Sequence, residues 1–216
     1  MKSVLEKILP QSWVDSYKEY RNKHSAESNR RKWEMNGKPL PPPHTIKQEA
    51  IQHYQKKSGY GILVETGTYK GDMILAQKDF FKKLYSIELS PALYQRAKKR
   101  FRKYSYVTLL QGNSGEVISR VLGELQEPAI FWLDGHYSGG ITATSEKHSP
   151  INEELQALIS NNRFQHIVLI DDARVFTGEN GYPTIEEAKE MTIRNFPGYH
   201  FSVEEDIIRL VPKKFS

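Results

Sequence analysis

Apolar residues fall along this chain in short runs separated by stretches with one polar face. Runs at 62–64, 84–87, 106–110, 129–133 and 167–170 are too short for helices and hold many β-branched and aromatic residues, so they predict strands. Two further runs, 199–203 and 207–211, are separated only by Glu204, Glu205 and Asp206, which predicts a hairpin. The intervening patterns predict helices at about 45–57, after the glycine turn at 67–71, from Pro91, at about 114–126, 151–160 and 184–195. Pro91 follows Ser90 and stands at the first helical position, where its missing N–H costs nothing. Strands alternating with helices predict an α/β architecture: a doubly wound, seven-stranded, mostly parallel sheet closed by an antiparallel C-terminal hairpin.

Residues 1–44 read differently and are expected to form a helical N-terminal arm with a proline-rich linker, ahead of the α/β domain at 45–216. Val4, Leu5, Ile8 and Leu9 offer one apolar face before Pro10. Ser12 with Asp15 resembles a capping box, with Trp13, Tyr17 and Tyr20 on one side of the helix that follows. The pattern fades across the polar, basic residues 22–32. It stops at Gly37 and at Pro39, Pro41, Pro42 and Pro43, which predict a stiff extended linker. The arm is too apolar to be solvated throughout. It is expected to pack on the core, on a partner subunit of a homo-oligomer or on the substrate, a structural role being favoured.

Composition narrows the chemistry more than the fold. The chain of 216 residues has no cysteine, which excludes disulfides, thiolate zinc sites and cysteine nucleophiles. Glu6 and Lys7 interrupt the stretch where a signal peptide would be apolar, and no long apolar run occurs elsewhere. A cytoplasmic location away from membranes is the resulting expectation. A net charge of +5 permits an anionic partner without requiring one. Arg96, Lys98, Lys99, Arg100, Arg102 and Lys103 spread around their helix, which favours a solvated surface over a nucleic-acid grip.

Candidate chemistry collects where the strands end. Glu65 closes the first strand and is followed by Gly67 and Gly71, a strand, tight turn and helix start whose open amides make a polar floor. Glu88 closes the second strand roughly twenty residues later, the spacing at which a nucleotide-binding unit places a carboxylate for ribose hydroxyls. Both point to an adenosine-type cofactor. Asp134 follows the fourth strand, and Asp171 and Asp172 follow the fifth. Three oxygen donors on one rim suit a hard divalent cation such as Mg²⁺, whereas singly each Asp could equally cap the next helix or turn. His136, two residues past Asp134, is a candidate general base with an ordinary pKa near 6.5. Gly139 and Gly140 would let its loop fold over a substrate.

The segment Glu65-Thr66-Gly67-Thr68-Tyr69-Lys70-Gly71 resembles the first motif of class I S-adenosylmethionine-dependent methyltransferases, with Tyr69 at the commoner pattern's middle glycine. A Gly-x-Tyr-x-Gly turn is similar to that of the metal-dependent small-molecule O-methyltransferases, both catechol O-methyltransferase-like and macrolide or aminocoumarin sugar O-methyltransferase-like. The resemblance covers about residues 58–212 and implies a Rossmann-like fold. It implies S-adenosylmethionine contacts from Glu65, Gly67, Thr68, Tyr69, Gly71, Glu88, Asn113, Ser114 and Asp134. It also implies a divalent cation on Asp134, Asp171 and Asp172, and a base at His136 where the sugar enzymes have an Asp. The implied reaction is methylation of a small polar acceptor, with residues 135–148 and 174–183 shaping its pocket.

Three other readings stay open on the residues alone. A nicotinamide-dependent oxidoreductase could use the same sheet and acids, although its Gly-x-Gly-x-x-Gly turn is missing. An RNA methyltransferase could use the basic arm and helix. A non-catalytic module could retain the fold, but the intact acidic set argues against it.

Overall fold

The computed structural model describes residues 10–135 and 149–216. The apolar face of Val4 to Leu9, together with His136, Gly139 and Gly140, lies outside those residues.

The strands are β1 (Ile62–Thr66), β2 (Lys83–Glu88), β3 (Val107–Gln111), β4 (Ala129–Leu133), β5 (Ile167–Ile170), β6 (Tyr199–Glu204) and β7 (Ile207–Pro212). They form one sheet in the order β3-β2-β1-β4-β5-β7-β6. The first five are parallel, and β7 runs antiparallel to both β5 and β6. The strand order reverses between β1 and β4, where an open sheet of this kind leaves a crevice beyond its carboxyl ends.

Helices cover both faces, which explains why the central strands are unbroken apolar runs instead of alternating ones. Ile62, Val64, Phe131, Leu133, Val168 and Ile170 point to one layer, and Leu63, Ile130, Trp132, Ile167 and Leu169 to the other. The first layer is closed by α5 (Ser114–Glu124), α6 (Ile151–Ser160) and α7 (Ile185–Asn195) through Ile118, Leu155 and Ala188. The second is closed by α2 (His44–Ser58), α3 (Asp72–Gln77) and α4 (Pro91–Phe101) through Ile51, Ile74 and Phe101. Each fully buried Leu, Ile or Phe contributes about 2 kcal/mol of transfer free energy, so the two layers together carry the fold. Strands β3 and β6 lie at the edges and are partly exposed.

Local signals start most helices where the sequence places them. The Ser90 hydroxyl accepts the N–H of Leu93 at the head of α4. Thr184 and Glu187 form a reciprocal capping box on α7.

The arm departs from expectation. Its helix α1 (Gln11–Met35) begins directly behind Pro10, so Ser12 lies inside it and not at its N-cap. The helix also runs unbroken through the polar stretch where the sequence pattern fades. Tertiary contacts hold its second half. Trp33 is buried, and Arg30 pairs with Glu49 of α2 at 2.6 Å and with Glu205 of the hairpin turn at 3.3 Å. The proline segment is no free spacer. The Trp33 indole donates to the Pro39 carbonyl at 2.8 Å and folds the segment back on α1.

Candidate active site

The turn between β1 and α3 brings three backbone positions into the left-handed region, Gly67 (φ 85°), Tyr69 (φ 47°) and Gly71 (φ 75°). Gly67 is required twice over. Its φ disfavours any Cβ, and a Cβ there would meet the Asp134 carbonyl oxygen at 2.2 Å. Strand β1 is thus packed directly against the exit of β4, with Asp134 N–H donating to the Thr66 hydroxyl at 3.1 Å. At Gly71 a Cβ would lie 2.5 Å from the Phe101 ring of α4. Arg100 of α4 fastens the same turn by donating to the Lys70 carbonyl and pairing with Asp72 at 2.9 Å. One member of the basic helix therefore has a structural task, while Arg96, Lys98, Lys99, Arg102 and Lys103 are exposed.

Glu88 is the acid at the rim of this turn. Its Oε2 accepts the N–H of Tyr69 at 2.7 Å and its Oε1 the N–H of Ser90 at 2.8 Å. A carboxylate has about four acceptor sites, so two are left for ligand hydroxyls. Tyr69, half exposed, overhangs the turn.

Glu65 sits deeper than its place in the motif suggests. Its carboxylate is buried and accepts the Ser86 hydroxyl at 2.5 Å, while Ser86 also bonds Thr68 at 2.6 Å. Burial pushes its pKa well up, against the Ser86 bond and reinforced by Asp134 and Glu88. In this arrangement Glu65 stiffens the floor under the glycine turn. Asn113 is exposed and caps α5, its side chain accepting the Gly115 N–H at 3.1 Å. Ser114 is buried beside Gly135, the residue after Asp134.

Asp171 and Asp172 share one ammonium, and the charge of Asp134 is felt at Asp171. Asp171 is pushed up to about 7, chiefly by burial and then by the nearby charge of Asp134, with Lys47 pulling the other way. Asp172 takes a left-handed conformation (φ 56°), and its N–H donates to Asp171 Oδ1 at 2.8 Å. The cation that meets these acids comes from a residue that the sequence reading missed. Lys47 of α2 places its Nζ 2.6 Å from Asp171 Oδ2 and 3.0 Å from Asp172 Oδ1. Burial alone would lower the Lys47 pKa, but the two carboxylates outweigh it and hold it raised. Arg174 pairs with Asp172 at 2.7 Å and with Asp206 of the hairpin turn, and Asp206 also accepts the Arg174 N–H at 2.9 Å. A signal for Lys47 existed. It shares its helical stripe with the buried Ile51 and Tyr54, where a lysine requires an acidic partner.

These residues do not fit a divalent cation as they stand. Asp171 gives one oxygen to a backbone amide and the other to an ammonium, and the bonded oxygen of Asp172 serves two cations. Among the described residues no group of three or more His, Asp or Glu is disposed to hold a metal ion.

Two cavities flank the rim. A small one beside Asp171 is lined by Leu133, Gly135, Glu154, Phe176 and Tyr182. A larger one, about 850 Å³, lies between α1, α2 and the hairpin turn, lined by Arg30, Trp33, His53, Asp206 and Arg209. Among the described residues the large cavity is lined by no residue of the glycine turn and meets the rim at Asp206, whereas the small one is lined by Asp171 itself. No helix among the described residues is long and apolar enough to cross a membrane.

No protein-family model matches the chain, and no curated protein matches it in sequence. Solved structures do. The SAH-bound methyltransferase PaMTH1 of Podospora anserina is 14% identical with a TM-score of 0.55, covering 95% of this chain and 98% of that one. The O-methyltransferase of Bacillus cereus in complex with SAH is 12% identical with a TM-score of 0.55, over 94% and 100%. MycE of the mycinamycin biosynthetic pathway, solved with Mg, SAH and mycinamycin VI, is 15% identical with a TM-score of 0.55, over 76% of this chain and 48% of its own. The seven-stranded architecture described above is therefore the fold of the class I methyltransferases.

Proposed function

We propose that the chain is an S-adenosylmethionine-dependent methyltransferase that methylates an oxygen of a small polar acceptor. The observation that carries this reading is the Glu88 carboxylate, fixed at the rim of the Gly67–Gly71 turn by the amides of Tyr69 and Ser90, with acceptor capacity left for ribose hydroxyls. Neighbours of the same fold were solved with SAH bound. Asn113 and Ser114 at the head of α5 are assigned to the base of the nucleoside, and Asp134 to the reacting end.

The transfer is an in-line displacement. The acceptor oxygen forms its bond to the methyl carbon as the carbon–sulfur bond breaks, and the sulfonium becomes a neutral thioether. The protein's part is alignment of three atoms and exclusion of water. The acceptor's proton must leave, and His136, two residues beyond Asp134, is the proposed base. Metal assistance forms no step of this reading, because Lys47 and Arg174 already pair with Asp171 and Asp172, two of the three carboxylates that would hold the ion.

Calorimetric titration with S-adenosylmethionine and S-adenosylhomocysteine tests the reading. Binding of both at micromolar affinity, lost in Glu88→Ala, is expected. Heat from NADH and none from either nucleoside would overturn it in favour of a nicotinamide site.

A further inference from the structure

We propose that the acidic rim at the ends of β4 and β5 is built around a resident ammonium, Lys47, in place of a divalent cation, and that Lys47 positions the acceptor's oxygen. The second half rests on the methyltransferase reading; the first does not.

Geometry carries it. The Lys47 Nζ lies within 3.0 Å of two carboxylates, and only 13% of its side chain is exposed. The stem runs from the buried face of α2, beside Ile51 and Tyr54, so helix packing fixes where the ammonium can reach. On the far side Arg174 ties Asp172 to Asp206, so the acid pair is held between two cations anchored on separate elements. A divalent ion entering the same oxygens would sit against an ammonium already in hydrogen-bond contact with them. Like charges at that distance repel strongly, and neither Asp171 oxygen is free to turn away.

The ammonium has three N–H donors, and Asp171 and Asp172 take two. Among the described residues the third meets no protein acceptor. It is the donor left for a hydroxyl, carbonyl or carboxylate oxygen of the acceptor. A cation at this point would do by hydrogen bonding what a metal does by coordination, orienting the oxygen and favouring its anionic form. Lys47 is therefore a positioning residue, contributed by the helix that precedes the first strand.

Titration of the full chain with Mn²⁺, followed by the electron paramagnetic resonance signal of the free ion, decides the cation. Wild-type protein is expected to leave millimolar Mn²⁺ free. Lys47→Met, which keeps the stem and removes the charge, is expected to bind one Mn²⁺ at least tenfold more tightly. Lys47→Arg should stay metal-free, and Lys47→Met combined with Asp171→Asn should lose the gained site. Stoichiometric Mn²⁺ binding by wild type, abolished by Asp171→Asn, would overturn the proposal. So would absence of binding in Lys47→Met, since the acids would then not be a cation site that lysine fills. S-adenosylmethionine binding on the same preparations reports folding of the variants. If no preparation binds it, the role toward the acceptor falls with the methyltransferase reading, while Mn²⁺ still decides what fills the rim.

Discussion

A Cβ placed on Gly67 would stand 2.2 Å from the carbonyl oxygen of Asp134, so the end of β1 and the exit of β4 are separated by less than one methyl group. Gly67→Ala must therefore displace the backbone on which Asp134 sits and also force alanine to φ 85°. The conformational part alone costs about 1–2 kcal/mol, and the contact adds to it. Gly71→Ala meets the edge of a phenylalanine ring, which can shift. We expect Gly67→Ala to abolish nucleoside binding and to lower the urea midpoint more than Gly71→Ala does. The reverse order would mean that the β1–β4 approach is looser than described.

Glu88→Gln tests the rim acid with little change in shape. An amide retains one acceptor oxygen, so of the Tyr69 and Ser90 N–H groups one loses its acceptor and the other its charged partner, at about 1 kcal/mol or more. Affinity for S-adenosylhomocysteine should fall at least tenfold by calorimetry, with stability falling only slightly. Unchanged affinity would remove Glu88 from the cofactor site.

His166 gives the stability a pH dependence away from the site. Its ring is buried, accepts the Ala129 N–H at 3.1 Å, and has its pKa lowered to about 4, first by burial and then by nearby Arg163. The folded state thus binds fewer protons than the unfolded chain, whose histidine titrates near 6.5. The stability tied to neutral His166 is complete above pH 6.5 and is lost as pH falls toward 4. Over that range the loss amounts to about 3 kcal/mol, at 1.36 kcal/mol per pH unit. Wild type minus His166→Leu in urea unfolding from pH 7 to 4 isolates this loss, and parallel curves would refute it.

Trp33 is the fastener of the arm. It is buried against the domain and donates its indole N–H to Pro39. Trp33→Ala should cost about 3 kcal/mol in urea unfolding, in the range for a large buried aromatic. A loss below about 1 kcal/mol, the scale of a surface change, would mean that the arm does not depend on this contact.

The seven strands are legible in the sequence because their apolar runs are short, β-branched and bounded by turn residues. The glycine turn and Glu88 are legible from residue type and spacing at the ends of β1 and β2, although Gly67 meets Asp134 and Gly71 meets Phe101 from far along the chain. Lys47 is not. It precedes Asp171 by more than a hundred residues, and although its stripe with Ile51 and Tyr54 marks a lysine in need of an acid, which acid it meets follows only from the sheet order. The arm misleads for the opposite reason. Its residues 22–32 have weak local patterning, and the helix persists there because Arg30 and Trp33 find partners in α2, the hairpin turn and the proline segment. Glu65 follows its motif in sequence, yet the Ser86 hydroxyl that occupies it belongs to the neighbouring strand. His136, the base proposed from sequence, lies outside the described residues.

The place of β7 has a consequence for assembly. Because β7 lies between β5 and β6, strand β5 has no outer partner until residues 207–212 have been made, and Asp206 reaches Arg174 only with them. A chain halted before the hairpin would present β5, with its row of unsatisfied amides and carbonyls, as a template for pairing with another chain. The same late docking completes the salt-bridge relay from Lys47 to Asp206, so a chain that has closed its sheet has also finished its charged rim.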